Sequence, residues 1–593
     1  MILSAITILM LALLAFIWAN RGFYSALIHM VCTIAAGAIA FGVWEPLAYM
    51  LLDASPQRGM MSALGGVAWA LALAVPFAVS LALLRLAADA ILGSNVIVTT
   101  AVNYIGASIC GIVAATIAVG IFTISISNLR FVPGLASLAP IQSSAVGSMT
   151  RQEKLIVPFD TMVAGIYGSM SEHALATDTP LAKWHPDAGE SGYTLRQTYE
   201  GKARNTIKPK DFDVIGRVTI TAPKFSDLLK DAFDSASQNV EDLSGGKFPE
   251  DTRVEAFALR FSSTGGESSG KIVIGNAQYR LIAENEAGNR ITLFPFAVSS
   301  QADGSDPRAG RWRFNAKDTF ISSVGGASEA YFLFEFPMPN GYQPIALYAR
   351  GVRVKIDSSI KQLGTFKSAK ERDAVIPSLA ASLKAGKLEA VDLGGNKELD
   401  VSSAEAVTWT ETTPIKSLMI TNAIGYTIQK GLHSPMEIDE KNQIIQGERV
   451  FTLKEISEMG NVDRNLRIAN FFADSDVQLV KVDVSAESEF SFLKPIVANA
   501  PSNAAALLVD SNGQTYSPVG LIYKDDNLVK IRYTPAAPMG SLGEIAQYGT
   551  MSRSRPEAKL SLIFRISRGV SLKYFAIGNR AMVEVSPILP IRR

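Results

Sequence analysis

The sequence predicts a chain of several domains, an all-α four-helix transmembrane bundle followed by a mainly β body. Three observations predict it. Four apolar stretches crowd into the first 130 residues, and nothing after them is apolar enough to span a bilayer. From Thr252 onward the hydrophobic period becomes two, the spacing of half-buried strands. The order of those strand-like runs then recurs near the end of the chain.

The helices come first. The apolar stretches are residues 2–19, 23–44, 62–92 and 99–126. Each reaches or nearly reaches the ~20 residues that a helix needs to cross a membrane. Composition is 48% hydrophobic and mean hydropathy +0.19, and the excess lies in this N-terminal quarter. The first stretch lacks a basic leader and ends in the bulky run Phe16-Ile17-Trp18-Ala19, so it reads as a retained membrane helix rather than a cleaved signal. Residues 20–22 make a tight reversal. Residues 45–61 carry Pro46, Asp53, Pro56 and Arg58 and are expected as a loop with a short interfacial piece. Pro76 is expected to kink the third helix.

Arg85 and Asp89 stand four apart near the end of that helix, on one face at headgroup level, where Arg snorkels. Ala36 and Ala40, and Ala107, Gly111 and Ala115, are small residues at helical spacing. Such faces let helices approach closely, for bundle packing or self-association. His29 is the one ionisable residue well inside a membrane helix, and such residues are functional candidates. It also lies only about two turns beyond Arg21, close to the interface. A transport path would require His29, Arg85, Asp89 and Asn103 to face a common cavity.

Two short motifs order these helices. Arg21-Gly22-Phe23 follows the first directly, and Asn103-Tyr104-Ile105-Gly106, then Gly111, opens the fourth. Residues 1–130 thereby resemble the colicin V production protein (CvpA) family, four-helix inner-membrane proteins of bacteria. In that family an Arg-Gly-Phe turn joins helices one and two, and a glycine-bearing fourth helix follows a polar residue. The stretch Ala26 to Met30 here lacks the acidic residue often found after the turn. The resemblance implies a role in toxin production or export, or in envelope integrity. Some similar proteins carry an exported domain after the same four helices, so the resemblance implies a periplasmic body. Charge does not decide the sidedness, or leans slightly towards a cytosolic body, because Arg21 and Arg85 favour one side and Arg58, Arg130, Arg151 and Lys154 the other.

The body is expected as a mixed connector over 131–251, a β-sandwich over 252–357, a helical linker over 358–405, a β-rich connector over 406–475 and a second sandwich over 476–593. Residues 223–240 read as an amphipathic helix. Runs at 254–261, 271–274, 279–283, 290–297, 331–336 and 345–356 read as short strands separated by turns. Residues 253–257 resemble 476–480, the stretch from Leu281 to Phe296 resembles that from Leu507 to Ile522, and 331–356 resembles 560–585. Two copies of an immunoglobulin-like sandwich follow from this order. The strand 334–337 also ends as those of small immunoglobulin-like modules of exported bacterial proteins do.

Little catalytic chemistry is legible. Net charge is +1, so no basic field argues for nucleic acid. Both cysteines, Cys32 and Cys110, lie in membrane helices, so the body has neither a disulfide framework nor a Cys-ligated zinc site. The body's histidines, His173, His185 and His433, form no His-x-x-x-His pair. Residues 265–272 half-match a nucleophile elbow and a phosphate-binding loop, but strand-like sequence flanks both and Ile272 stands where the metal-binding hydroxyl belongs. A hairpin is expected instead. His185 and Asp187 flank Pro186 beside Trp184, read as a turn with a half-buried Trp rather than a binding site. The aspartates at 474, 476, 483, 525 and 526 lack calcium-loop spacing.

The expected protein is therefore a non-enzymatic integral membrane protein with no cofactor and no metal. Its expected partners are the lipid bilayer and other envelope proteins or further copies of itself. A transporter component and an enzyme with an unrecognised site in the body are the other classes considered.

Overall fold

The computed structural model describes residues 2–56, 60–92, 99–129, 138–152, 155–174, 179–199, 204–229, 239–262, 265–266, 272–300, 311–314, 320–322, 329–367, 399–457, 463–473, 477–511, 515–535, 538–549, 551–555, 557–567 and 570–591. Four helices are long and apolar enough to cross a membrane: α1 (Ile2–Ala19), α2 (Phe23–Ala54), α3 (Ala68–Ile91) and α4 (Thr100–Ser127). Helix α4 packs on α1 and α2, and α3 packs on α2. Large apolar side chains such as Leu9, Leu13, Phe16, Leu83, Leu86 and Ile105 point outward. Small residues fill the inside. Ala26, Ala107 and Cys110 form one contact, and Ala36 and Ala40 are fully buried on α2. A Cβ at Gly111 would stand 3.0 Å from the Ala15 carbonyl oxygen, so this glycine sets how closely α4 approaches α1.

Two boundaries differ from expectation, and one is that α3 begins at Ala68, after a 3-10 helix at Met60–Gly66, rather than at residue 62. Helix α2 does not stop at Trp44 but continues through Pro46 to Ala54. Proline removes one backbone bond to the residue four back, here Gly42. Beyond it Ala48 and Leu52 are buried, 0% and 2% exposed, Ala48 in a cluster with residues of α3 and α4 and Leu52 in the core of the first sheet body. That tertiary burial outweighs the weak local signal to break the helix.

Three short helices follow the bundle. Helix α5 (Phe159–Glu172) lies against α4 and α2, α6 (Leu181–Trp184) against α5, and α7 (Ser191–Leu195) against the end of α4. The tyrosine at 167 reaches into the bundle, its hydroxyl donating to the Ile34 carbonyl at 3.0 Å. Gly37 and Gly120 leave room for α5, since Cβ atoms there would come within 2.0 Å of Tyr167 and 2.4 Å of Val163.

The first sheet body uses ten strands: β1 (Phe212–Ile220), β2 (Arg253–Ser262), β3 (Tyr279–Asn285), β4 (Arg290–Leu293), β5 (Ala297–Ser300), β6 (Arg311–Arg313), β7 (Glu329–Met338), β8 (Tyr342–Ala349), β9 (Val352–Lys355) and β10 (Gln362–Phe366). They form one sheet in the order β10-β1-β2-β7-β5-β6 and another in the order β9-β8-β3-β4. Alternation dictates the layers. Phe257, Leu259 and Phe261 of β2 and Phe332, Phe334 and Phe336 of β7 meet Tyr279, Leu281 and Leu347 of the other sheet in one core. The opposite face of the first sheet is also covered, where Val254, Ala256 and Ala258 pack on Phe225, Leu228 and Leu229. Strand β2 is therefore apolar on both faces. Leu52 of α2 and Ala68 of α3 belong to the inter-sheet core, so the bundle and the first sheet body share residues.

Two expectations in this region change. Residues 362–366, expected in a helical linker, form β10, parallel to β1, because Leu363 and Phe366 pack on the covered face. Of the amphipathic helix expected at 223–240, Phe225–Leu228 is helical and residues 230–238 lie outside the described residues. The hairpin expected within 265–272 also lies largely outside them.

The second sheet body repeats the first. After β11 (Glu405–Thr408) come β12 (Leu418–Ile420), β13 (Val477–Asp483), β14 (Ala506–Asp510), β15 (Thr515–Tyr516), β16 (Pro518–Lys524), β17 (Leu528–Tyr533), β18 (Lys559–Ser567), β19 (Ser571–Ile577) and β20 (Arg580–Pro590). One sheet runs β12-β13-β18-β16-β17 and continues through Gln443–Thr452, Arg467–Phe471 and Ala423–Gln429; the other runs β11-β20-β19-β14-β15. Each of β1 to β9 thus has a counterpart eleven strands later, with the same chain order and neighbours. Register agrees as well: Phe257 lies opposite Phe334, and Val480 opposite Phe564. One alignment shifts by a residue. Leu281 corresponds to the buried Leu508, not to the half-buried Leu507, since a single step turns a strand residue to the other face.

Candidate functional site at the membrane–body junction

A gathering of buried polar groups beside a cavity lies where α2 leaves the bundle. The added length of α2 carries Glu45 and Tyr49 into the body, where they meet α6, the loop after it and the β8–β9 hairpin. That hairpin turns on Arg350 and Gly351, both at positive φ (46° and 88°), the geometry of a two-residue turn. A Cβ on Gly351 would lie 2.8 Å from the Trp69 indole nitrogen. Glycine at this tip lets the hairpin press on α3 and brings Arg353 over α2.

Glu45 is the hub. Its Oε1 accepts from Arg353 Nε at 3.0 Å and from the Tyr49 hydroxyl at 2.5 Å. Its Oε2 lies 3.4 Å from His185 Nε2. The Tyr49 hydroxyl in turn accepts the Arg353 backbone N–H at 2.9 Å. Aromatic rings wall the group. His185 is 6% exposed and lies between the Trp44, Trp69 and Tyr348 rings at centroid distances of 5.5, 6.2 and 5.4 Å. The Arg353 guanidinium stacks 4.4 Å from the Trp184 centroid, and that of Arg280 lies 4.2 Å from the Tyr348 centroid. Arg280 also pairs with Asp187, and the Tyr348 hydroxyl donates to the Trp184 carbonyl. Burial raises the Tyr348 hydroxyl well above its ordinary value, so it stays a donor. Removing one member of such a network strands the charges left behind.

A cavity of about 330 Å³ opens beside this network. It is lined by Ala38, Phe41, Gly42 and Glu45 of α2, by Met170 and Leu181, and by Trp184, His185 and Arg353. Two more cavities, of about 340 and 490 Å³, meet at the Arg151–Glu190 ion pair, whose Nη2–Oε2 distance is 2.7 Å. Asp160 lines the smaller; burial raises its carboxyl above the ordinary aspartate value. Among the described residues, no three His, Cys, Asp or Glu side chains are grouped to hold a metal ion.

The residues singled out in the sequence sit mostly at the opposite end of the bundle. Gly22 (φ +86°) turns the chain between α1 and α2 beside Arg21. Asn103 Oδ1 accepts the Phe23 backbone N–H at 2.7 Å, and the Phe23 ring occupies the space left by Gly106, where a Cβ would be 2.4 Å away. The two motifs therefore form one contact that caps α2. His29 stacks on Trp18 at 3.6 Å. Arg85 pairs with Asp89 at 2.8 Å, donates to the Ser25 carbonyl and hydroxyl, and lies 5.7 Å from the Trp18 centroid. His29, Arg85, Asp89 and Asn103 line none of the three cavities described above. Gly111 serves helix packing.

Glu45, Tyr49, Trp69, Tyr348 and Arg353 were not singled out in the sequence. The available signal was an acid directly after Trp44 at the end of an apolar stretch, the placement of an interfacial anchor. Trp184, His185 and Asp187 were noted, but as a turn. The structure buries Trp184 and His185, covers most of the Asp187 side chain, and joins all three to the network. Comparisons with family models, curated proteins and solved structures find no match for the chain.

Proposed function

We propose that this chain is a non-enzymatic integral membrane protein of the bacterial inner membrane whose four helices hold two immunoglobulin-like sandwiches for protein interaction on the periplasmic side. The repeated strand order carries the reading. The order β1-β2-β7-β5 beside β9-β8-β3-β4 resembles that of strands A-B-E-D and G-F-C-C′ in the immunoglobulin fold, and the order of β12 to β20 is alike, which supports the reading. Tandem modules of this kind present edges and loops to partners. The motif contact at Gly22, Phe23, Asn103 and Gly106 supports kinship with the CvpA family, and with it a role in toxin production or export, or in envelope integrity. Arg21 and Arg85 lie at the bundle end away from the body, but more basic residues flank the other end, so the periplasmic side rests on the resemblance and not on charge.

The test combines topology with capture. Protease added to intact spheroplasts is expected to digest the body. A photo-crosslinker replacing Met419 on the sheet-edge strand β12, where it is 43% exposed, is expected to trap an envelope protein or a second copy. Protection of the body until lysis would overturn the periplasmic assignment. Absence of any crosslink from Met419 and from the other exposed edge positions would overturn the interaction role.

A further inference from the structure

We infer that the cavity beside Glu45 is a phospholipid site, taking an acyl chain along α2 and the lipid's phosphate at Arg353 and Trp184. The depth of the cavity argues first. Along α2, Ala38 to Phe41 lie about 22–27 Å from Phe23 and Glu45 about 33 Å, at 1.5 Å per residue. A hydrocarbon core is about 30 Å thick. The apolar arm of the cavity therefore falls at the depth of acyl chains, and its polar end at the depth of headgroups.

The donors argue second. Arg353 spends Nε on Glu45, while its two Nη groups have no hydrogen-bond partner among the described residues. The indole N–H of Trp184, a residue 8% exposed, is likewise without a partner. Both residues line the cavity. Two donors, one of them cationic and planar, suit phosphate oxygens. The acceptor beside them is already engaged: both Glu45 oxygens face Arg353, Tyr49 or His185, so the carboxylate fixes the guanidinium instead of competing as its ligand.

The shape argues third. The volume, about 330 Å³, is at the lower end for ligand pockets. It accommodates one chain segment and a phosphate, not a whole lipid. Gly42 lines the apolar arm, and a Cβ there would meet nothing within 4 Å. A larger side chain at 42 fills the arm without disturbing the polar network.

The experiment uses the full chain in detergent, with native mass spectrometry and thermal shift. Three probes separate the sources of phosphate: dioleoyl phosphatidylglycerol, dioleoylglycerol and inorganic phosphate. One phosphatidylglycerol per chain is expected to survive detergent removal and raise the melting temperature. The other two probes are expected to do neither. Gly42→Leu is expected to weaken lipid retention at least tenfold while the unliganded melting temperature holds. Arg353→Gln is expected to weaken it as well, with some loss of stability from the broken Glu45 contact. Equal lipid retention by Gly42→Leu overturns the site. Equal binding of dioleoylglycerol overturns the phosphate contact, and an equal shift with inorganic phosphate overturns the lipid.

Discussion

At residue scale, Asp160 shows how an interior position becomes a pH response. It is 4% exposed, its Oδ1 accepts the Thr161 N–H at 2.8 Å, and its Oδ2 accepts from the Tyr193 hydroxyl at 3.2 Å. Burial, with Glu190 nearby, raises its carboxyl. An acid raised in the folded state favours folding fully below its unfolded value, about 3.9, and that contribution is lost as pH rises through the folded value. Asp160→Asn has no proton to lose there. The variant is expected to gain on the native chain between about pH 4 and neutrality, read as unfolding midpoints in detergent micelles across that range. Parallel curves for the two proteins would refute the assignment. Other residue contacts were unequally legible. Gly22 and Asn103 stood out as motif residues, but the hydrogen bond that joins their motifs spans 80 positions of sequence. Glu45 and Arg353 are 308 positions apart, and a lone acid beside a Trp carries no mark of so distant a partner.

At the scale of elements, apolar length and period were reliable and punctuation was not. Helices α1 and α4 match their apolar runs closely, while α3 begins only at Ala68, after a 3-10 helix over the start of its run. Pro46 did not end α2, because burial of Ala48 and Leu52 is a long-range effect that no local rule contains. Strand periodicity found β2, β3, β7 and β8, while β10 escaped in a charged stretch because only Leu363 and Phe366 mark it. Helix α5 offers a test of packing at this scale. Ala at Gly37 would place its Cβ 2.0 Å from the Tyr167 hydroxyl oxygen. Gly37→Ala is expected to undock α5 at a cost of about 1–3 kcal/mol. Gly165→Ala, on α5 with nothing within 4 Å of its Cβ, is the matched control. Hydrogen exchange over 159–172 should rise in the first variant and hold in the second. Unchanged exchange in Gly37→Ala would mean that α5 docks by other contacts.

At the scale of the whole molecule, the repeat was legible in sequence because strand order and the large inward residues survive where identities do not. The junction was not legible, because it is built from five separate stretches of chain, around Glu45, Trp69, His185, Arg280 and Arg353. The two sheet bodies differ in what completes them. Among the described residues, the cores of the second contain none before Val407. The core of the first includes Leu52 and Ala68, with Tyr49 and Leu51 packed on it. A chain beginning at Leu399 is therefore expected to fold as a soluble monomer. One spanning 138–367 is expected to aggregate, and size-exclusion chromatography of the two separates these outcomes. A monodisperse 138–367 would show that the helices are dispensable to it. The sharing of Leu52 also bears on proteolytic release. Many surface proteins join ectodomain to membrane by a stalk, and one cut sheds the intact domain. Here the cut would leave behind a plug of the domain's own interior. Shedding would thus inactivate the first module as it released it, and only the second could leave the membrane whole.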